Sequence, residues 1–204
     1  MSSSFITISF NCQENGFGSR ERRLKVLRRL RSFNPALVLR QEMPGAADHA
    51  RAVMYKAEDP EVGLGMRGWL GEGSATAVFA DTAVLRPVAE YPSPAKVMER
   101  PPTAVGFQLA AAGPESTPVI GVAGHNPYPV PVQREIETGW LTTFNDKVIR
   151  MADGSRRKAY IILGIDAAQA TPGEVPLPQV RDIGDEPHRA HRTRRGPDGT
   201  YVMD

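Results

Sequence analysis

The sequence is short of several features that would each mark a class of protein. Its single cysteine, Cys12, excludes an internal disulfide and a thiolate-only zinc site, and the expectation is a reducing, cytoplasmic setting. No apolar run approaches the roughly 18 residues of a membrane-spanning helix. Residues 1–11 lack the basic start and long apolar centre of a secretory signal, so no membrane insertion is expected. Nor is charge of one sign in excess. Across 204 residues, 25 Lys and Arg stand against 23 Asp and Glu, and a net charge of +2 does not by itself mark a nucleic-acid or membrane-surface protein. No internal repeat is apparent at periods of about 20 to 50 residues.

What is present is the composition of a globular, loop-rich chain. Hydrophobic residues at 41% and charged residues at 24% exclude a collagenous, mucin-like or wholly disordered protein, and 19 Gly with 18 Pro punctuate it heavily. Residues 5–10 (FITISF) read as a buried strand ending at Asn11, followed by a turn signal over Asn15-Gly16-Phe17-Gly18. Residues 19–33 then form an amphipathic helix, with Leu24, Val26, Leu27, Leu30 and Phe33 on one half of the wheel and Arg22, Lys25, Arg28 and Arg29 on the other. Ser19 suits its N-cap, and Asn34-Pro35 ends it. Residues 36–39 are a continuous apolar run, the pattern of a strand covered on both faces, which delivers Arg40-Gln41-Glu42 at its end.

Residues 48–58 read as helix, and the Gly-rich stretch 63–73 around Trp69 as irregular. Strand patterns return at residues 76–80, 84–89, 103–110 and 119–123, with Pro-rich connections that suggest antiparallel pairing. Val132, Ile136, Trp140 and Phe144 recur every fourth residue and predict a second amphipathic helix with Trp140 in the core. Residues 160–163 form a further buried strand, ending in Gly164-Ile165-Asp166. The stretch 171–204 reads as a loop-rich tail on a single domain 1–204. This order of elements argues for an α/β or α+β layered sandwich.

Four polar residues, Asn11, Glu42, His125 and Asp166, stand at the ends of these strands, where loops leave room for substrate and the strand sets direction. Glu42 and Asp166 offer the hard oxygen ligands that Mg²⁺ takes, with water and a substrate phosphate completing the shell. The alternative for each carboxylate alone is simple solvation at a strand terminus.

Ile6-Thr-Ile-Ser-Phe-Asn11, Leu37-Val-Leu-Arg-Gln41-Glu42, Val122-Ala-Gly-His125 followed by Arg134 and Glu137, and Ile161-Ile-Leu-Gly-Ile-Asp166 resemble, in this order, the successive motifs of the endonuclease/exonuclease/phosphatase superfamily. The resemblance implies an α/β fold, a four-layered α/β sandwich of two mixed sheets flanked by helices. It also implies hydrolysis of a phosphodiester or phosphomonoester by in-line attack of water, dependent on Mg²⁺ or Mn²⁺, with nucleic acid among the possible substrates. By that resemblance Glu42 is the principal metal ligand and Asn11 orients groups at the phosphate. His125 contacts phosphate or assists the leaving group, and Asp166 aligns the attacking water.

Two departures bear on activity. The family's Gly-Asp-x-Asn reads Ile165-Asp166-Ala167-Ala168 here, and the terminal Ser-Asp-His does not occur before Asp204. The resemblance therefore implies either a C-terminally incomplete domain or a diverged form. Whether the chain is an enzyme is left open, the alternative being a non-catalytic member that binds nucleic acid or a protein partner. A third reading is an unrelated α/β binding domain. His188 and His191 lie in a basic, loop-like tract and are not assigned to the missing histidine's role. The basic residues at 20–31 read as a solvated helix face, with phosphate contact as the alternative, and Cys12 as a packed small side chain.

Overall fold

The computed structural model describes residues 4–91, 98, 100–113, 115–126, 131–166, 193–195 and 201–203. The N-terminal apolar run becomes strand β1 (Thr7–Asn11), followed by a short helix α1 (Gln13–Phe17), helix α2 (Arg20–Arg31) and strand β2 (Leu37–Gln41). Helix α3 (Asp48–Glu58) leads to β3 (Arg67–Leu70), β4 (Thr76–Ala80), β5 (Leu85–Tyr91), β6 (Thr103–Leu109) and β7 (Val119–His125). Helix α4 (Pro131–Thr142), a hairpin of β8 (Val148–Arg150) and β9 (Arg156–Lys158), and β10 (Tyr160–Asp166) complete the layers. Beyond them, β11 (Thr193–Arg195) and β12 (Tyr201–Met203) pair antiparallel within the stretch expected to be loop-rich. Residues 167–192, with Ala167, Ala168, His188 and His191, lie outside the described residues. No helix among the described residues is long and apolar enough to cross a membrane.

The strands form two four-stranded mixed sheets, ordered β1-β2-β4-β3 and β10-β7-β6-β5. Each sheet has one parallel pair, β1 with β2 and β10 with β7, and antiparallel pairing elsewhere. The inward faces meet in one apolar layer that joins Leu37, Leu39 and Val78 to Val105, Phe107 and Ala123. Outside the first sheet, Val38 and Phe79 pack with Leu27, Leu30 and Met54 of α2 and α3; outside the second, Ile120 and Val122 pack with Leu141 of α4 and with Phe144 and Ile149. The result is the four-layered α/β sandwich. β2 is buried at every position, which is why its sequence does not alternate. The sheets approach closely at Gly164, where a Cβ would lie 2.6 Å from Ser9 Oγ and 2.9 Å from Leu39 Cβ.

Helix α2 follows its sequence pattern. Ser19 Oγ accepts from the Arg22 amide at 3.3 Å, Leu27 and Leu30 are buried, and Lys25, Arg28 and Arg29 are exposed. Phe33, expected on the apolar half, is exposed because the helix ends at Arg31. Three further expectations are corrected. The signal at 15–18 is not a turn but the end of α1, closed by Gly18 in the left-handed conformation at φ +71°. The Gly-rich stretch contains β3, held by pairing to β4 and by Trp69, whose ring meets Phe107 edge-on at 5.6 Å. Trp140 is not a core residue. It is 40% exposed and Ile136 is 45% exposed, while α4 turns Glu137 and Leu141 inward. Arg40 and Gln41 stand at the end of β2 as expected, and both are buried.

Candidate functional site

The site is built at the ends of the two parallel strand pairs. In the first sheet Asn11 is in register with Gln41, and in the second Asp166 is in register with His125. Parallel neighbours end on the same side, and the packing of the sheets brings both pairs to one edge of the sandwich. Glu42 follows β2 immediately and adopts a left-handed backbone, φ +51°. For a non-glycine residue this conformation costs roughly 1 kcal/mol and is retained where the surroundings over-determine it. Here it turns the chain out of β2 while the Glu42 carboxylate meets Asn11.

All four residues singled out from the sequence are together. Asn11 Nδ2 donates to Glu42 Oε1 at 3.0 Å and also to Asp166 Oδ2. Its carbonyl end is held by the Gln13 amide at 2.7 Å, so the amino end faces the carboxylates. Ligand atoms of Glu42, His125 and Asp166 all lie within 4.8 Å of one another. Beneath them Gln41, fully buried, reaches from β2 to the Gly164 carbonyl at 3.0 Å and ties the two sheets together two residues before Asp166.

His125 is 4% exposed. Burial, and next the Arg100 guanidinium, hold its pKa below the ordinary 6.5, against the opposing pull of Asp166, Glu42 and Glu137. Arg100 Nη1 meets His125 Nε2. A guanidinium only donates, so the neutral ring accepts at Nε2 and carries its proton on Nδ1, which is buried without a hydrogen-bond partner. Arg100 is a residue that sequence reasoning missed, because a lone arginine beside Pro101 and Pro102 carries no signal of its own. Glu137, within the resemblance, lies fully buried on α4, where its Oε1 accepts from Gln133 at 2.8 Å.

A cleft of about 330 Å³ opens here, lined by Glu42, Pro44, Ser74, Arg100 and His125 among others. The Glu42 and Asp166 carboxylates supply hard oxygen donors that suit Mg²⁺ or Mn²⁺, while His125, whose acceptor nitrogen is taken by Arg100, stands beside them without a lone pair for the ion. Arg100 on the same wall offers a cation to an anionic substrate. The residues present therefore fit a divalent ion with a phosphate beside it.

No family model matches this chain, and no curated protein matches it in sequence. Solved structures share its fold. The zebrafish (D. rerio) TDP2 complex with a single-strand DNA product is 14% identical, with TM-score 0.54, over 81% of this chain and 61% of that one. ANGEL2, a 2′,3′-cyclic phosphatase in complex with adenosine-2′,3′-vanadate, is 11% identical with TM-score 0.58, over 98% of this chain and 65% of that one. The human Nocturnin catalytic domain with bound sulfate is 15% identical with TM-score 0.51, over 82% and 65%. The chain thus spans less than two thirds of the length of each. These proteins belong to the endonuclease/exonuclease/phosphatase superfamily, and the fold of this chain is the fold of that superfamily.

Proposed function

We propose that this chain is a divalent-metal-dependent phosphoesterase acting on a nucleic acid or nucleotide phosphoester. The observation that carries the reading is the convergence of Glu42, His125 and Asp166 donors within 4.8 Å, beside Arg100, at the common edge of both sheets. The DNA product bound to TDP2 and the nucleoside vanadate bound to ANGEL2, on the same fold, favour a nucleotide substrate.

Glu42 and Asp166 would hold the ion; when bound, the ion supplies neutralisation of charge on the phosphoryl and leaving oxygens. The protein's own groups do the rest. Asn11 holds the two carboxylates in a fixed relation and limits their mutual repulsion. Arg100 binds a phosphoryl oxygen and stabilises the charge that grows on it during in-line attack by water. Asp166 orients that water. His125, kept neutral near pH 7, is placed to contact the phosphate without adding a competing cation. Cys12 as the lone cysteine supports a cytoplasmic setting.

The test is titration of the protein with Mn²⁺ and Mg²⁺ by calorimetry, then assay on 2′,3′-cyclic AMP, single-strand DNA and bis(p-nitrophenyl) phosphate. We expect binding that Glu42→Ala weakens at least about tenfold. Any turnover should be slow, because Ala168 stands where the family has an asparagine donor, and loss of one such donor costs roughly 10²- to 10³-fold. EDTA or Glu42→Ala should abolish it. Absence of divalent-ion binding would overturn the proposal, and ion binding without turnover on any phosphoester would assign the site to a non-catalytic member of the fold.

A further inference from the structure

Arg40 immediately precedes Gln41 on β2 and faces the opposite way. Gln41 reaches into the interface between the sheets, whereas Arg40 lies on the side of Val38, under the helical layer of α2 and α3. Its side chain is 2% exposed, and Nε and Nη2 are buried without a hydrogen-bond partner. Phe10 lies 5.9 Å from the guanidinium and covers it without accepting its protons conventionally. Burial lowers the pKa of Arg40 and the Cys12 sulfur partly offsets this, yet guanidinium stays charged over the whole physiological range. A buried cation with idle donors is costly unless something anionic meets it.

The space for such a partner exists beside it. A cavity of about 290 Å³ lies against α2, β2 and α3, apart from the cleft that holds Glu42 and His125. Arg40, Arg20, Arg23 and Lys56 all line it, and no Asp or Glu is among the described residues that do. The remaining wall is largely apolar, with Leu27, Met43 and Val53. Four cations with no carboxylate fit an anion, and the apolar wall fits a hydrophobic body attached to it. The volume sits at the low end of small-ligand pockets.

We infer that this cavity is a second binding site, for a small oxyanion carried on an apolar body, such as an aryl or alkyl phosphate or carboxylate, received by the planar fork of Arg40. This gives two arginines of the basic segment 20–31, Arg20 and Arg23, a ligand-facing role that neither a solvated face nor nucleic-acid contact describes. The inference does not rest on the proposed phosphoesterase activity. It needs only Arg40 and the cavity.

The test uses the full chain in EDTA, with inorganic phosphate, phenyl phosphate, benzoate and uncharged benzyl alcohol as probes, read by calorimetry and thermal shift. Phenyl phosphate or benzoate should bind about tenfold or more tighter than inorganic phosphate, and benzyl alcohol should not bind. Which of the two binds better distinguishes phosphate from carboxylate as the natural headgroup. Arg40→Met should weaken binding at least about 50-fold without lowering the melting temperature of the unliganded protein, since an apolar side chain of similar length suits that burial. Should Arg40→Met fail to fold, the double variant Arg23→Gln, Lys56→Gln on the partly exposed wall should weaken binding about tenfold. Arg100→Ala, in the other cleft, should leave it unchanged. Wild-type affinity in Arg40→Met or, where that variant does not fold, in the double variant would overturn the inference. So would loss of binding in Arg100→Ala, or no binding of any anion up to about 10 mM.

Discussion

Replacing Gly164 by alanine tests the contact on which both the fold and the site depend. The added Cβ would meet Ser9 Oγ at 2.6 Å and Leu39 Cβ and Cδ1 at 2.9 Å each. Leu39 is fully buried, and its Cβ is fixed to the backbone of β2, so relief requires the two sheets to separate. Overpacking of this kind costs about 1 to 3 kcal/mol, and a rigid contact belongs in the upper half of that range. For a chain of 204 residues, where roughly 1 kcal/mol shifts the melting temperature by about 2 to 4 °C, a cost of 2 to 3 kcal/mol lowers it by about 4 to 12 °C. Gly121→Ala is the control. There the nearest atoms are the Leu37 methyl groups at 3.2 Å, the far ends of a side chain that can rotate, and the expected cost is under about 1 kcal/mol. Because Asp166 lies two residues beyond Gly164, separation of the sheets also moves its carboxylate from Asn11 and Glu42, and Mn²⁺ affinity should fall about tenfold. Urea denaturation and calorimetric metal titration of both variants measure these effects. Stability within about 0.5 kcal/mol of wild type, together with unchanged Mn²⁺ affinity, would refute the close approach and with it the geometry that joins the half-sites.

On the helical layer, Leu27→Ala should cost about 2 to 5 kcal/mol and Arg28→Ala less than about 0.5, since the first is buried and the second exposed; equal losses in denaturant would contradict the rotation of α2. In metal-free protein, NMR titration should place the His125 pKa below the ordinary 6.5, and Arg100→Ala should raise it. A lowered histidine pKa means that the unfolded chain binds the proton more readily, so stability is full above about pH 6.5 and falls as pH drops; His125→Gln should flatten that acid limb. Asn11→Asp would set a third carboxylate against Glu42 and Asp166, lowering the melting temperature in EDTA and enlarging its recovery on adding Mn²⁺. A recovery no larger than that of wild type would argue against ion binding among these groups.

Much of the layered order was legible from the chain alone because local patterns and tertiary demands agree. The run at 36–39 reads as a strand covered on both faces, and β2 packs against the second sheet on one face and the helices on the other. Residues 76–80 form their expected strand, the helix expected at 48–58 forms apart from a left-handed stretch at 49–51, and α2 buries the leucines that its wheel gathers. The Gly-rich segment misled because β3 owes its existence to β4 and to the seat of Trp69 rather than to its own propensity. In α4 the period was right and the rotation was not. A stripe of apolar residues every fourth position says that a helix has a face, but only the sheet beneath decides which side turns in, and it took Glu137 and Leu141 over Ile136 and Trp140.

By itself, the sequence determined which residues end strands. Chain direction and apolar run length are local, so Asn11, Glu42, His125 and Asp166 could be picked out at strand termini without coordinates. Only the tertiary structure decided that residues as far apart as Asn11 and Asp166 share hydrogen bonds. That outcome depends on two parallel pairs, one in each sheet, ending on the same side, and no local pattern encodes how separate sheets pack. Arg100 and Arg40 show the same division. Their charge is written in the chain, but whether an arginine meets solvent, a histidine ring or a closed apolar layer is set by what folds over it.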